Sequence, residues 1–349
     1  MNTLKNDQSQ LVKPLVCVRS ITFNHAPYIV DAMNGFCMQQ TSFPFVCAVI
    51  DDCSTDGEQE VISNYLHEHF DLEDRSVVRN EETDDYKLIY ARHKENHNCF
   101  FVVLYLKYNH YSIGKSHLKN QYIKEWYDSA KYIALCEGDD YWTNPLKLQK
   151  QVDYMEKHPE CGLVWAKAKC YIQDKQKFDG TTGRYMSGYY DMFVNYSIAP
   201  LTSMYRKSAV EGYAEFVQGQ KWLLGDSPLF LYIAHDHDIH FMDEVVGVYR
   251  VLKNSASHHI SYEKNVAFQN STFDVVKFFC EKYGHPNFKM LEGIHYSRMF
   301  NYAFNARRYT TAQDIYKKIP YPNLKIRFKR IVLSSSLLKY IYYRFYHKK

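Results

Sequence analysis

A chain of 349 residues with 46% hydrophobic and 23% charged side chains can bury one large core or two modest ones, as an ordinary soluble globular protein does. Its formal net charge of +4 is too small, and its basic residues too thinly spread before the last stretch, for a nucleic-acid partner, so none is expected. Nine cysteines without a CxxC pair, several of them inside apolar runs, argue for a reducing compartment and against a structural zinc.

Residues 1–13 are polar and lack an apolar h-region, so they read as a disordered segment. No later run approaches the ~20 apolar residues of a membrane span. The expected location is therefore the cytoplasm. From there the chain alternates: Leu15–Ile21 extended, Pro27–Gln39 helical, Phe45–Ile50 extended and Gly57–His69 helical. Pro27 suits a first helical turn, and Glu58 and Glu60 suit the positive end of a helix. This alternation predicts a parallel sheet. Beyond an acidic patch at 81–85, Phe100–Leu106 reads as a strand, Ser116–Tyr127 as a helix and Tyr132–Cys136 as a strand. Asn144-Pro145 opens a helix to about Lys157, with Leu148, Val152 and Met155 as its core stripe. Cys161–Ile172 is predicted as a strand, Asp174–Ser187 as a polar loop, Leu201–Tyr205 as a short strand, Asp226–Ala234 as a helix and Ile239–Val251 as extended. Past His258 the pattern is helical, with Val266, Phe273, Val276 and Phe279 on one side.

Two predicted strands end in carboxylates. Tyr132–Cys136 runs into Glu137, Asp139 and Asp140, and Phe45–Ile50 runs into Asp51, Asp52 and Asp56. Buried strands that deliver several acids to one rim need a cation to offset them, and a divalent metal is the simplest. Ligands of open parallel sheets sit outside the carboxyl ends of the strands, so both acidic ends are expected to face one crevice. The competing structural reading is that Asp52, Ser54, Thr55 and Asp56 cap the helix that follows.

Thr22-Phe-Asn-His-Ala-Pro-Tyr28, Ile50-Asp-Asp-Cys-Ser-Thr-Asp56, Cys136-Glu-Gly-Asp-Asp-Tyr-Trp142 and the Gly225-Asp226 region, in that order and spacing, resemble the family 2 glycosyltransferases of bacterial surface-polysaccharide synthesis. The resemblance covers residues 14–255. It implies an α/β GT-A fold, a Rossmann-like mixed sheet flanked by helices, over 14–258, with a helical C-terminal extension over 259–349. By that resemblance Ile21, Thr22, Asn24, Asp51, Asp52 and Lys115 hold the nucleotide, Asp52 receiving the base. Glu137, Asp139 and Asp140 stand where the family's DXD element binds Mn²⁺ or Mg²⁺; Glu137 departs from the usual first Asp. Asp226 matches the family's general base, and can equally cap the helix it opens. Thr202 and Ser203 fall in the segment that lines the donor-sugar pocket. Trp142 and Trp222 offer faces for sugar stacking, with core packing as the alternative, and Arg250 is a diphosphate contact. The family histidine two residues after Arg250 is replaced by Leu252; His258 or His259 is its candidate substitute.

The implied reaction is an inverting, metal-dependent transfer from a nucleotide-diphospho sugar, UDP-linked, to a hydroxyl of a glycan or lipid-linked acceptor. The rival readings are a sugar nucleotidyltransferase, which would need a Gly-rich basic phosphate loop near Ile21–Tyr28, and a catalytically silent sugar-binding or membrane-scaffold protein. Histidines 235, 237 and 240, interleaved with Asp236 and Asp238, read as an exposed turn and are given no chemistry. Residues 324–349 carry eight Lys or Arg and no acid, interleaved with Leu324, Phe328, Ile331, Leu338, Tyr342 and Phe345 at helical spacing. Such a tail suits peripheral contact with the anionic inner face of a membrane, or equally a last helix packed on the domain.

Overall fold

The computed structural model describes residues 12–253 and 261–346. His258, His259 and most of the N-terminal segment expected to be disordered lie outside the described residues. In chain order the elements are β1 (Val16–Thr22), α1 (Ile29–Cys37), β2 (Phe45–Asp51), α2 (Glu58–His69), β3 (Phe70–Asp71), β4 (Arg79–Glu82), β5 (Tyr86–His93), β6 (Cys99–Leu106), α3 (Leu118–Tyr122), α4 (Lys124–Ser129), β7 (Tyr132–Leu135), β8 (Tyr141–Trp142), α5 (Lys147–Lys157), β9 (Cys161–Ile172) and β10 (Lys177–Thr182). There follow α6 (Tyr189–Asn195), β11 (Met204–Arg206), α7 (Tyr213–Phe216), α8 (Asp226–Asp236), β12 (Asp238–Val251), α9 (Tyr262–Tyr283), α10 (Phe288–Asn305), α11 (Tyr309–Tyr316), α12 (Leu324–Leu333) and α13 (Ser336–Tyr346).

The fold is mixed α/β, with a large central sheet, flanking helices and a helical C-terminal region. The sheet runs β3-β5-β6-β2-β1-β7-β11-β9-β12-β8, with β10 on β9 and β4 on β5. β1 lies between β2 and β7 and is parallel to both, Val16 standing opposite Phe45 and Tyr132 and Thr22 opposite Asp51. β2 and β6 are buried from end to end, which is why they read as unbroken apolar runs. α1 packs on them through Ile29, Ala32, Met33 and Phe36, an i, i+3, i+4, i+7 stripe, and the Phe36 ring meets Trp142 edge-on at 4.9 Å.

The chain divides into two compact units. The first comprises Met1–Met186, Ser197–Ala214 and Tyr232–Arg250 and contains the sheet. The second gathers Ser187–Tyr196, Glu215–Leu231 and Val251–Lys349, so the helical extension expected from 259 is joined by two earlier segments. Its core includes Phe300, Ala303, Phe304, Ala312, Ile319, Ile326, Val332 and Leu333. The polar stretch 174–187, expected as a loop, contains β10, an exposed strand added to the end of β9. Ser116–Tyr127 is two short helices interrupted at Ile123, and the tail is two helices broken at Ser334 and Ser335.

Candidate active site

β1 is the pivot of the sheet. The chain leaves it for β2 and then β6 on one side, and later supplies β7 on the other. The order of strands therefore reverses beside the carboxyl end of β1, where open α/β sheets hold their ligands. Three loops meet there. The backbone N–H of Asp52 donates to the Thr22 carbonyl at 3.0 Å, and that of Gly138 to the Ile21 carbonyl at 3.1 Å. Ile21 is half-buried and Thr22 is buried. A Cβ on Gly138 would stand 2.1 Å from Thr22 Oγ1 and 2.5 Å from Thr22 Cβ, so only glycine lets the acidic loop settle against β1.

Glu58, fully buried at the start of α2, ties the loops after β1 and β2 together. It accepts from Thr22 Oγ1, from Ser54 Oγ at 2.8 Å and from the His25 N–H at 2.9 Å. Burial still pushes its carboxyl above the ordinary value, against those donors. Asn24, in the left-handed region at φ 56°, accepts from the Thr55 N–H at 2.8 Å, and Asp56 accepts from the Ala26 and Glu58 N–H groups. Asp56 thus performs both the helix-end role read from sequence and a loop-to-loop bond.

Asp51 and Asp52, expected to meet the nucleotide directly, are both turned into the protein. Asp51 accepts from the Ser54 N–H at 3.3 Å and from Gln59 Nε2 at 2.5 Å, and burial raises its carboxyl above the ordinary value. Asp52 accepts from the backbone N–H groups of His110 (2.7 Å) and Tyr111 (3.1 Å) and pairs with Lys119 Nζ at 2.6 Å, both side chains buried. Burial pulls the Lys119 ammonium down, opposed by the Asp52 charge. Three donors hold Asp52, the residue expected to receive the base, as the anchor of the segment 107–119. Lys115 lies exposed on that segment, its N–H donating to the His110 carbonyl at 2.8 Å.

The acidic triplet divides in the same way. Asp140 is buried and accepts from the Arg250 N–H at 2.7 Å; burial, then the neighbouring charges of Asp139 and Glu137, push its carboxyl well above the ordinary range. One oxygen of this expected metal ligand is thus committed to β12. Glu137 is exposed, and Asp139 is half-buried with His25 Nε2 at 3.9 Å from its carboxylate. Among the described residues no group of three His, Cys, Asp or Glu side chains is arranged to hold a metal ion. What remains is one or two hard carboxylate ligands, a donor set that fits Mg²⁺ or Mn²⁺ completed by phosphate oxygens and water.

Arg250, expected at the diphosphate, is instead buried behind this loop. Its Nε donates to the Asp139 carbonyl (2.8 Å), Nη1 to Gln173 (3.1 Å) and Nη2 to Asp31 (2.8 Å), while the guanidinium lies 4.6 Å from the Tyr28 ring. Every nitrogen has a protein partner, so Arg250 positions the acidic loop. The other donor-sugar candidates of this unit are likewise engaged within the protein. Thr202 Oγ1 and Ser203 Oγ are buried and donate to the Ala199 and Pro200 carbonyls, each at 2.8 Å. Trp142 is buried, donates to the Leu201 carbonyl at 2.7 Å and has the Lys147 ammonium 4.2 Å from its ring. Its faces are closed to a sugar.

Asp226 and Trp222 belong to the second unit. Asp226 is the first residue of α8, half-buried, and accepts from the Tyr196 hydroxyl at 3.1 Å; desolvation raises its carboxyl above the ordinary 3.8. Trp222 is half-buried with its ring against Phe278 at 5.2 Å. In the first unit the expected exposed turn is corrected: His235 lies in the last turn of α8 and contacts Asp236, His240 lies half-buried on β12 and stacks on Tyr154 at 3.7 Å, and only His237 falls between the two elements.

Sequence reasoning missed Lys119, Glu58 as a hub, and Asp31. Each partners a residue 36 to 219 positions away, which no local pattern encodes.

No family model matches the chain. Over 158 residues it is 32% identical to uncharacterised proteins of Mycobacterium bovis and Mycobacterium tuberculosis, a match over 45% of this chain and 36% of theirs. Over 167 residues it is 24% identical to TuaG of Bacillus subtilis, named as a glycosyltransferase of teichuronic acid biosynthesis, covering 48% of this chain and 52% of that protein. The chain thus spans about half the length, or less, of these relatives. Among solved structures, S. aureus TarS in complex with UDP-GlcNAc aligns at 15% identity and TM-score 0.49, covering 86% of this chain and 89% of that one. The Pyrobaculum calidifontis mannosyltransferase PcManGT in complex with GDP-Man and Mn²⁺ aligns at 13% identity and TM-score 0.49, covering 96% and 88%.

Proposed function

We propose that this chain is an inverting glycosyltransferase of the GT-A, family 2 kind, moving a sugar from a nucleotide-diphospho donor, a UDP-sugar, to a hydroxyl of a glycan or lipid-linked acceptor in surface-polysaccharide synthesis. The observation that carries the reading is the switch point at the end of β1, where the loops after β1, β2 and β7 are bonded to one another and bring Asp139 to the rim. The similarity to TuaG supports the same reading. Ile21, Asn24 and Lys115 form the nucleotide side in this proposal, with Thr22, Asp51 and Asp52 fixing the loops that bear them. Asp139, with Glu137 beside it, would hold a divalent cation that arrives with the donor and offsets charge on the departing diphosphate.

In the transfer the acceptor oxygen forms its bond to the anomeric carbon as the bond from that carbon to the diphosphate oxygen breaks. The nucleoside diphosphate leaves with the electron pair, and the hydroxyl proton passes to the Asp226 carboxylate. What supports Asp226 is local: Tyr196 fixes one oxygen, and desolvation makes the carboxylate a stronger base than a solvated one.

A nucleotide-sugar panel with and without Mn²⁺ tests the assignment. Asp226→Asn is expected to lower turnover by about 10²–10⁴-fold while leaving donor affinity in place. The base must be ionised, so activity falls as pH drops through its raised pKa, and the acidic limb of kcat/KM lies above the ordinary 3.8 of an aspartate. Wild-type turnover in the variant, or no donor consumed by the wild type, overturns the assignment.

A further inference from the structure

We propose that α12 and α13 form a docking surface for an anionic lipid bilayer, lying in the plane of its headgroups. In α12 the buried positions are Ile326, Val332 and Leu333, which belong to the second unit's core. Leu324, Phe328 and Ile331 follow i, i+4, i+7 spacing and so share one face, on the side of the helix turned away from Ile326 and Leu333. They are exposed at 82%, 51% and 59%. A helix that merely packs on its domain places polar residues outward; this one is apolar on both sides.

The same holds in α13. Leu337, Tyr340 and Ile341 are exposed, Leu337 at 65%, while Tyr343 turns inward and donates to the Phe304 carbonyl. Arg344 stands one turn beyond Tyr340 and donates to its hydroxyl.

Cations border these stripes. Lys325 and Arg327 are exposed beside the Leu324–Phe328–Ile331 row, and Arg344 ends the row on α13. Among the described residues no carboxylate pairs with Lys325, Arg327, Lys329, Arg330, Lys339 or Arg344, although the second unit does form ion pairs elsewhere, Lys277 with Asp274 and Lys317 with Asp314. An outward apolar row edged by uncompensated positive charge is complementary to a surface that is negative at headgroup depth and apolar just beneath it. At 10 and 11 residues the two helices are too short to cross a bilayer, and among the described residues no helix is long and apolar enough to do so. They lie on the membrane.

Co-flotation of the full chain with vesicles tests this directly. With vesicles of 30% phosphatidylglycerol in phosphatidylcholine the wild type is expected to float at least tenfold more than with phosphatidylcholine alone, and 0.5 M NaCl should reverse most of the gain. Leu324→Ser/Ile331→Ser/Leu337→Ser removes apolar groups at the three most exposed positions of these rows and should cut binding at least tenfold, with circular dichroism and donor turnover in solution unchanged. Lys325→Glu/Arg327→Glu/Arg344→Glu should abolish the preference for phosphatidylglycerol. Equal flotation with both lipids, or flotation untouched by either variant, overturns the proposal. So does a wild type that fails to float but sediments as a dimer that the serine variant dissociates, because the stripe would then be covered by a second copy.

Discussion

The buried pair of Lys119 and Asp52 shows what one residue can do at distance. Lys119 sits on a short helix with no local reason to be buried, yet its ammonium neutralises a carboxylate 67 positions earlier and so fixes the segment that also donates two N–H groups to it. Removing one partner of such a pair leaves an uncompensated buried charge, whereas removing both does not. Lys119→Met is expected to destabilise the fold by about 3–5 kcal/mol in urea denaturation, and the double variant Lys119→Met/Asp52→Asn to recover most of that loss. Additive losses would show that the pair is not coupled. The acidic signatures were legible because strand ends followed by aspartates are short, local patterns. The orientation of each carboxylate was not: Asp52 and Asp140 point inward because backbone N–H groups from residues 110 and 250 reach them, and Asp139 is left at the rim.

At the scale of elements, the alternating strands and helices from β1 to α2 were readable because period and capping residues agree, and β6 and β7 because strands buried on both faces are apolar throughout. β10 escaped because an exposed edge strand carries no apolar signal; all but the last of its residues are exposed. β4 and β5 sit where an acidic patch obscured the hairpin, since Glu81 is a strand residue bonded to Arg79 and Tyr86. The tightest fit between elements is that of the loop after β7 against the end of β1. Both Thr22 and Gly138 are buried, so a methyl group at 138 has nowhere to go without displacing a central strand. Gly138→Ala is expected to cost about 1–3 kcal/mol, read as a lower urea midpoint at unchanged slope, and to weaken donor binding because Asp139 moves with the loop. An alanine variant as stable as the wild type would show that the loop yields freely.

For the molecule as a whole, the consequence lies in how the second unit is assembled. The helical pattern past His258 marks where its longest helical stretch begins, but the unit also needs two segments inserted earlier in the chain. Phe216 packs against Phe278 and stacks on Tyr283; Tyr189 meets Tyr283; Trp222 meets Phe278; and the Leu223 N–H donates to Ser271 Oγ at 2.7 Å. These aromatic contacts join residues on either side of the apparent boundary, so a fragment ending at 258 would strip the cover from Tyr189, Phe216 and Trp222 while leaving them in the chain. Apolar patches of several aromatic side chains bring association in their wake. The fragment 1–258 is therefore expected to aggregate or bind a hydrophobic dye strongly, and Tyr189→Ser/Phe216→Ser/Trp222→Ser in that fragment should restore solubility. The 349-residue chain carrying the same three substitutions should instead lose stability, since there the rings are packed against α9. A fragment 1–258 that is monomeric, dye-negative and as heat-stable as the full chain would show that the two inserted segments do not depend on α9.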